Sequence, residues 1–495
     1  MIVSHKHKFI FFKTRKTAGS SIQVALANHC GPDDIITGQY RLGVDDNSHS
    51  AGLNMNKFCS THPHPELLEV KSFLNEEIWN SYFKFAFVRN PYDIAVSRYH
   101  WDLKGKMGIE ETSIEGFQKW VKEGKLFDKD AAYLYTSFKD YVDLDFIGYF
   151  ENLEEDLNYI CNKINIPDLN LPKLKSGFRD SSSYSSFYDE DTKQIVKNFY
   201  FNDFKLFGYN FDNKNICKRK NIINTGEPFI ENDNISTPCI LFIDNEYKMY
   251  FSNHEGTVIK LATSKSLEGP WQHKGAILSL KDTTCDTHIA SPEVIFEHGK
   301  YIMYYHGDKD DDQGTFIAES IDGVKFKNIT TEPVCKFYLR VFDYNNVRYG
   351  IAKDGNDGAI LYNVSDNFTP LAKILPNSRH CHGLVKDSKL YLAYSNIGDE
   401  PEHIRLCVLK LDNDFNNWEV ISDRSLIYPT FKFEGGNLPV VKTKPGSSTR
   451  RYGQPVAELR DPFLFELNEK VHILYVTKGE SGIGYARCIN FYDED

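Results

Sequence analysis

The chain has 495 residues, more than one compact core holds, so two or three domains are expected. A formal charge of −11 argues against a general nucleic-acid binder, and no apolar run approaches the length of a membrane span. Ten cysteines are scattered without a C-x-x-C pair, which indicates neither a disulfide framework nor a zinc ribbon. The reading is a soluble protein of a reducing, cytoplasmic compartment, in which the apolar run Phe9–Phe12 is too short for a signal-peptide core.

In chain order, "HKFIFFKTRKTAGSSIQVAL" (7–26) predicts a strand, a Gly/Ser-rich turn and a helix. The free N–H groups and positive end of such a helix suit a phosphate. Lys16 adds a cation, Thr17, Ser20 and Ser21 add hydroxyls, and Gly19 allows close backbone approach. The ATP-type pattern GxxxxGK[ST] does not fit, because the lysine precedes the glycine. An ordinary capped helix with surface lysines is the structural alternative. Lys13 is a second candidate cation, with a solvent-facing side chain as its alternative. The stretch "STHPHPELLEV" (60–70) then carries His62 and His64. His-x-His also fits a metal, but no Cys or carboxylate stands nearby at ligand spacing. In "WNSYFKFAFVRNPYDIAVSRYHW" (79–101) a strand, Phe83–Val88, ends in Arg89, and a turn at Asn90–Asp93 starts a helix carrying Ser97. Arg89 and Ser97 are placed to close on a second phosphate. Helical patterns follow at 152–164 and 189–208, the latter with Ile195, Val196, Phe199, Phe204 and Phe207 at roughly helical spacing. Residues 1–212 therefore read as an α/β domain, and the polar, basic stretch 213–221 as a linker.

From 222 to 495 helices disappear and short β-rich runs alternate with Asn, Asp and Gly turns. "TPCILFIDNEYKMYFS" (237–252) matches "SPEVIFEHGKYIMYYH" (291–306), with both prolines and both Met-Tyr pairs in register. Weaker copies begin near 336, 379 and 458. Five such units predict a five-bladed β-propeller closed into a ring.

The two cradles together resemble the sulfotransferases that use 3'-phosphoadenylyl sulfate (PAPS). "KTRKTAGSSI" is similar to their 5'-phosphosulfate loop and "FVRNPYDIAVSRY" to their 3'-phosphate motif. The segments 148–167 and 184–211 are similar to later parts of the carbohydrate-type members. The likeness covers nearly all of residues 5–212, and implies an α/β P-loop-like sulfotransferase fold. It implies that Lys16 contacts the bridging and sulfuryl oxygens. Thr17, Ala18, Gly19, Ser20 and Ser21 are implied to bind the 5'-phosphate, and Arg89 with Ser97 the 3'-phosphate. PAPS is then an expected co-substrate, no metal is required, and the expected acceptor is a hydroxyl of a carbohydrate. The members carry a histidine between the two motifs, a position His62 fits best, with His64 as the alternative base.

The second half, 222–495, resembles the five-bladed propellers of arabinanase-, xylosidase- and invertase-type glycosidases, mainly in architecture. There, inner-strand carboxylates converge at the axis. Here the first-blade position of an expected Asp is Thr237, and the candidates for a sugar site are Glu293, Arg340, His380, His382, Arg460 and Asp461, with Glu434 and Glu480 as further acids. The expectation is a sulfotransferase with a glycan-binding propeller. The alternatives are a catalytic glycosidase propeller, and a nucleotide and glycan binder without turnover.

Overall fold

The computed structural model describes residues 1–37, 64–103, 112–126, 141–172, 183–212, 216–224, 235–253, 256–355, 357–446, 454–489 and 491–492. The chain forms two compact units, Met1–Ile216 and Cys217–Asp495. No helix among the described residues is long and apolar enough to cross a membrane.

The first unit is built on β1 (Ile2–Ser4), β2 (Phe9–Phe12), β3 (Ile35–Ile36), β4 (Phe83–Val88) and β5 (Phe146–Tyr149), in sheet order β3-β1-β2-β4-β5. β1 pairs antiparallel with β2, whereas β2, β4 and β5 run parallel, Phe9 opposite Phe83 and Phe85 opposite Phe146. All four residues of β2 are buried, as a central parallel strand covered on both faces requires. Phe9 and Phe11 pack with Phe85, Phe87 and Phe146 and with Ile22 and Leu26 of the helix Gly19–Ala27. Helices therefore begin just beyond the carboxyl ends of β2 and β4, where parallel sheets bind ligands. The expected helix at 189–208 is two helices, Glu190–Phe199 and Phe201–Phe207, broken at Tyr200. The break shifts the buried stripe to Val196, Tyr200, Leu206 and Phe207 and leaves Ile195 and Phe199 exposed.

The second unit is five four-stranded antiparallel sheets. Four are contiguous in sequence: Ser236–Ser279, Ile289–Asn328, Arg340–Ile374 and Ser378–Ile427. The fifth combines three strands within Leu459–Ile489 with the strand Ile216–Asn224 at its outer edge. This strand runs through the stretch read from sequence as a linker. It closes the ring with the beginning of the unit, a device that composition alone conceals because the strand is polar. The first strands of the third, fourth, fifth, first and second blades lie side by side in that order.

Candidate functional site

In the first unit, residues 13–18 lead from β2 into the helix Gly19–Ala27. Lys16 and Ala18 take left-handed backbone conformations, φ 60° and 59°, on either side of Thr17. Such alternation turns successive N–H groups into one anion-binding concavity. No side chain caps the helix, and its first turn holds no carboxylate. Thr14 Oγ1 donates to the Phe87 carbonyl at 2.6 Å, tying the loop to β4. Gly19 is required by crowding: a Cβ there would lie 2.8 Å from the Thr14 carbonyl oxygen. Lys16 Nζ stands 5.0 Å from the centre of the Trp101 ring. Thr17 and Ser21 are buried and Ser20 is half-buried. Lys13, which sequence left open to solvent, is buried.

At the end of β4, Arg89 reaches across to this loop. Its Nη1 donates to the Lys16 carbonyl at 2.9 Å, and its Nε and Nη2 pair with Asp93 at 2.8 and 2.7 Å. The guanidinium lies 4.1 Å from the centre of the Phe150 ring. These contacts use three of the five N–H donors of an arginine and leave two for a ligand. The turn is held from below: Asn90 N–H donates to Glu151 at 2.7 Å, Asn90 Nδ2 to the Asn210 carbonyl at 2.7 Å, and Tyr209 to Glu151 at 2.9 Å. Burial pushes the Glu151 carboxyl up against the pull of these donors. Ser97 is half-buried on the helix Pro91–His100. The loop after β2 and the turn after β4, on adjacent parallel strands, are thus joined by Arg89.

His62 lies outside the described residues. His64 is described: its Nδ1–H donates to the Lys13 carbonyl at 2.8 Å. Burial, with the Lys13 charge beside it, pushes its pKa down to about 3.

In the propeller, four of the five first strands carry the same β-bulge, between Ser236 and Cys239, Ala290 and Glu293, Ser378 and Cys381, and Arg460 and Phe463. The bulge re-aims one residue per strand. Thr237, Ser291, Arg379 and Asp461 occupy it, and Tyr338 is the equivalent in the third blade, where Lys353 N–H meets the Phe337 carbonyl. Asp461 is the one carboxylate of these five. It accepts from Thr237 N–H at 3.1 Å and pairs closely with His380, so it joins the last blade to the first and fourth.

A cavity of about 520 Å³ opens here, lined from the second to the fifth blades. Of the six residues expected at a sugar site, His380 and Arg460 line it. Glu293, Arg340 and His382 form a separate buried cluster: Arg340 Nη1 bonds Glu293 at 2.7 Å, and His382 Nε2 lies 3.5 Å from the same carboxylate. Burial opposes ionisation of Glu293, but Arg340 and His382 outweigh it and hold the carboxyl below its usual range. Glu434 is likewise tied, to Tyr475 and the Thr430 amide, while Glu480 pairs with Arg460. Sequence reasoning missed Tyr338, Lys353 and Arg379, which also line the cavity. Tyr338 and Arg379 fall at the repeat position of Thr237, a signal visible only once the bulge register is known. Arg340→Met is expected to destabilise the propeller by about 3–5 kcal/mol in urea denaturation, because Glu293 is left buried without its cation. Pairing it with Glu293→Leu is expected to recover most of that loss.

The model of the sulfotransferase family matches residues 1–210. A mimivirus protein of undescribed role, R118 of Acanthamoeba polyphaga mimivirus, is 32% identical over 279 residues, covering 49% of this chain and 76% of that protein. Carbohydrate sulfotransferase 10 of Xenopus laevis is 23% identical over 249 residues, covering 42% and 67%. Among solved structures, a thermostable family-43 glycoside hydrolase is similar at 18% identity and a TM-score of 0.40, over 53% of this chain and 91% of that one. A family-43 β-xylosidase/α-arabinofuranosidase from a compost microbial metagenome is similar at 15% identity and a TM-score of 0.37, over 53% and 92%. The five-bladed architecture rests on the strand topology of this chain itself.

Proposed function

We propose that this chain, whose residues 1–210 match the model of the sulfotransferase family, transfers a sulfuryl group from PAPS to a carbohydrate hydroxyl, with the propeller binding the glycan. The observation that carries the reading is the bond from Arg89 to the Lys16 carbonyl, which sets both cradles in one frame. The loop N–H groups from Thr17 to Ser21 take the 5'-phosphate, and Lys16 balances the charge that develops on the leaving bisphosphate. The two spare N–H groups of Arg89, with Ser97, take the 3'-phosphate. The acceptor oxygen forms a bond to sulfur as the bond from sulfur to the phosphate oxygen breaks, and the hydroxyl proton passes to a base. We assign that base to His62. A catalytic base works best with a pKa near the working pH, and His64, pushed down to about 3, holds protons too weakly. His64 instead fixes the Lys13 carbonyl at the start of the loop. The reading needs no metal.

For the propeller, binding is favoured over hydrolysis. Hydrolases of sugars use two carboxylates facing one bond. Here Asp461 is engaged by His380 and Thr237, and Glu293 is committed to Arg340 and does not line the cavity. The test is incubation of the whole protein with PAPS and a panel of saccharides, read by mass spectrometry. A gain of one sulfuryl group on a saccharide, abolished in Lys16→Ala, is expected. Sulfuryl transfer unaffected by Lys16→Ala, or none to any hydroxyl compound, would overturn the reading.

A further inference from the structure

The propeller cavity presents an acceptor where a sulfated sugar needs a donor. His380 pairs through Nδ1 with Asp461, whose carboxylate takes the Nδ1–H. Burial, outweighing Asp461, holds its pKa down to about 4, so near neutral pH the imidazole is uncharged, and with Nδ1–H on Asp461 its lone pair is on Nε2. Its side chain is only 9% exposed, it lines the cavity, and Nε2 has no hydrogen-bond partner among the described residues. A buried, unpartnered acceptor asks for a hydroxyl or N–H donor. A sulfate oxygen offers only lone pairs and is repelled.

The lining arginines do not reverse this. Arg379 is bonded by both oxygens of Glu402, at 2.7 and 2.9 Å, and Arg460 is paired with Glu480 at 2.8 Å and closely with Glu458. Their charge is neutralised from within the blades. Asp311, Asp312, Asp354 and Asp357 add carboxylates to the same lining, of which Asp354 is paired with Lys373 at 2.8 Å. Lys336 and Lys353 are the opposing cations of the lining. Lys353 Nζ lies 5.8 Å from the centres of the Phe337 and Tyr338 rings, with no ion pair among the described residues. Burial and the Arg379 charge lower its pKa to about 8, and its N–H groups are donors that a hydroxyl can accept. Phe337 and Tyr338 supply apolar faces of the kind on which a sugar ring packs.

We propose that this cavity binds an uncharged saccharide, one hydroxyl donating to His380 Nε2, and rejects the same saccharide once it is sulfated. The inference rests on the glycan-binding reading given above and adds its direction: the propeller holds acceptor and releases product.

The test is binding of the whole protein to immobilised neutral oligosaccharides of the xylo-, arabino-, manno-, chito- and N-acetyllactosamine series, each beside its chemically sulfated counterpart. At least one neutral probe is expected to bind, with its sulfated counterpart at least tenfold weaker. His380→Asn is expected to weaken the neutral probe and narrow the gap. Because that change also touches Asp461, the rim variant Asp312→Asn/Asp357→Asn provides an independent measure, expected to tighten the sulfated probe while leaving the neutral one bound. Equal or tighter binding of sulfated probes overturns the inference and leaves glycan binding standing. A gap that neither variant changes also overturns it. No binding of any probe, with adenosine 3',5'-bisphosphate binding intact, overturns the glycan reading of the propeller together with the inference.

Discussion

Arg89→Ala is expected to weaken binding of adenosine 3',5'-bisphosphate by about 10- to 150-fold in calorimetry on the whole protein. The figure follows from about 1.5–3 kcal/mol for hydrogen bonds to a charged group. Three consequences act in one direction. The two spare N–H donors are lost from the 3'-phosphate. The Lys16 carbonyl loses its 2.9 Å brace, so the 5'-phosphate loop is less well ordered. Asp93, relieved of its cation, adds negative charge beside the bound anion. The two cradles are thus coupled, and adenosine 5'-phosphate, which lacks the 3'-group, is expected to weaken as well, though less. Arg89→Lys keeps the charge but not the fork that spans Asp93 and the Lys16 carbonyl, so its affinity falls between the two. Unchanged affinity for the bisphosphate in Arg89→Ala would remove the 3'-phosphate assignment.

The elements that position the cradles were legible because each is local. A run of phenylalanines, a glycine where a Cβ would strike the Thr14 carbonyl, and an Asn-Pro helix start are all written in neighbouring residues. What joins the cradles was not legible, since the bond from Arg89 to the Lys16 carbonyl connects residues 73 positions apart through a backbone atom. The propeller divides the same way. Its repeats show in the alternation of apolar residues and in paired prolines, but the outer strand of the last blade, Ile216–Asn224, comes from the other end of the unit and has no repeat signature. The sugar-site candidates are charged residues near strand starts, and that position alone does not separate Glu293 and Arg340, which stay off the cavity, from His380 and Arg460, which line it beside a bulge residue. A bulge is a property of the pairing between strands.

His62→Ala is expected to reduce turnover by roughly a hundredfold or more while leaving donor affinity unchanged, the pattern of a group that acts on the proton of the acceptor hydroxyl. His64→Ala is expected to do the reverse, weakening the donor more than it slows chemistry, because its bond to the Lys13 carbonyl holds the loop. The pH dependence separates them further. A base must be unprotonated to act, so turnover carried by His62 falls as pH drops through the pKa of that residue and is flat above it. His64 acts on stability. Its pKa in the fold, about 3, lies below the ordinary 6.5, so between these values the unfolded chain binds a proton that the fold does not. The first unit therefore loses stability as pH falls from 6.5 toward 3, and His64→Phe is expected to flatten that part of the curve. Chemical denaturation at a series of pH values reads the stability arm, and steady-state turnover at saturating donor reads the other. A dead His64→Ala enzyme with full donor affinity, beside an active His62→Ala enzyme, would move the base to His64.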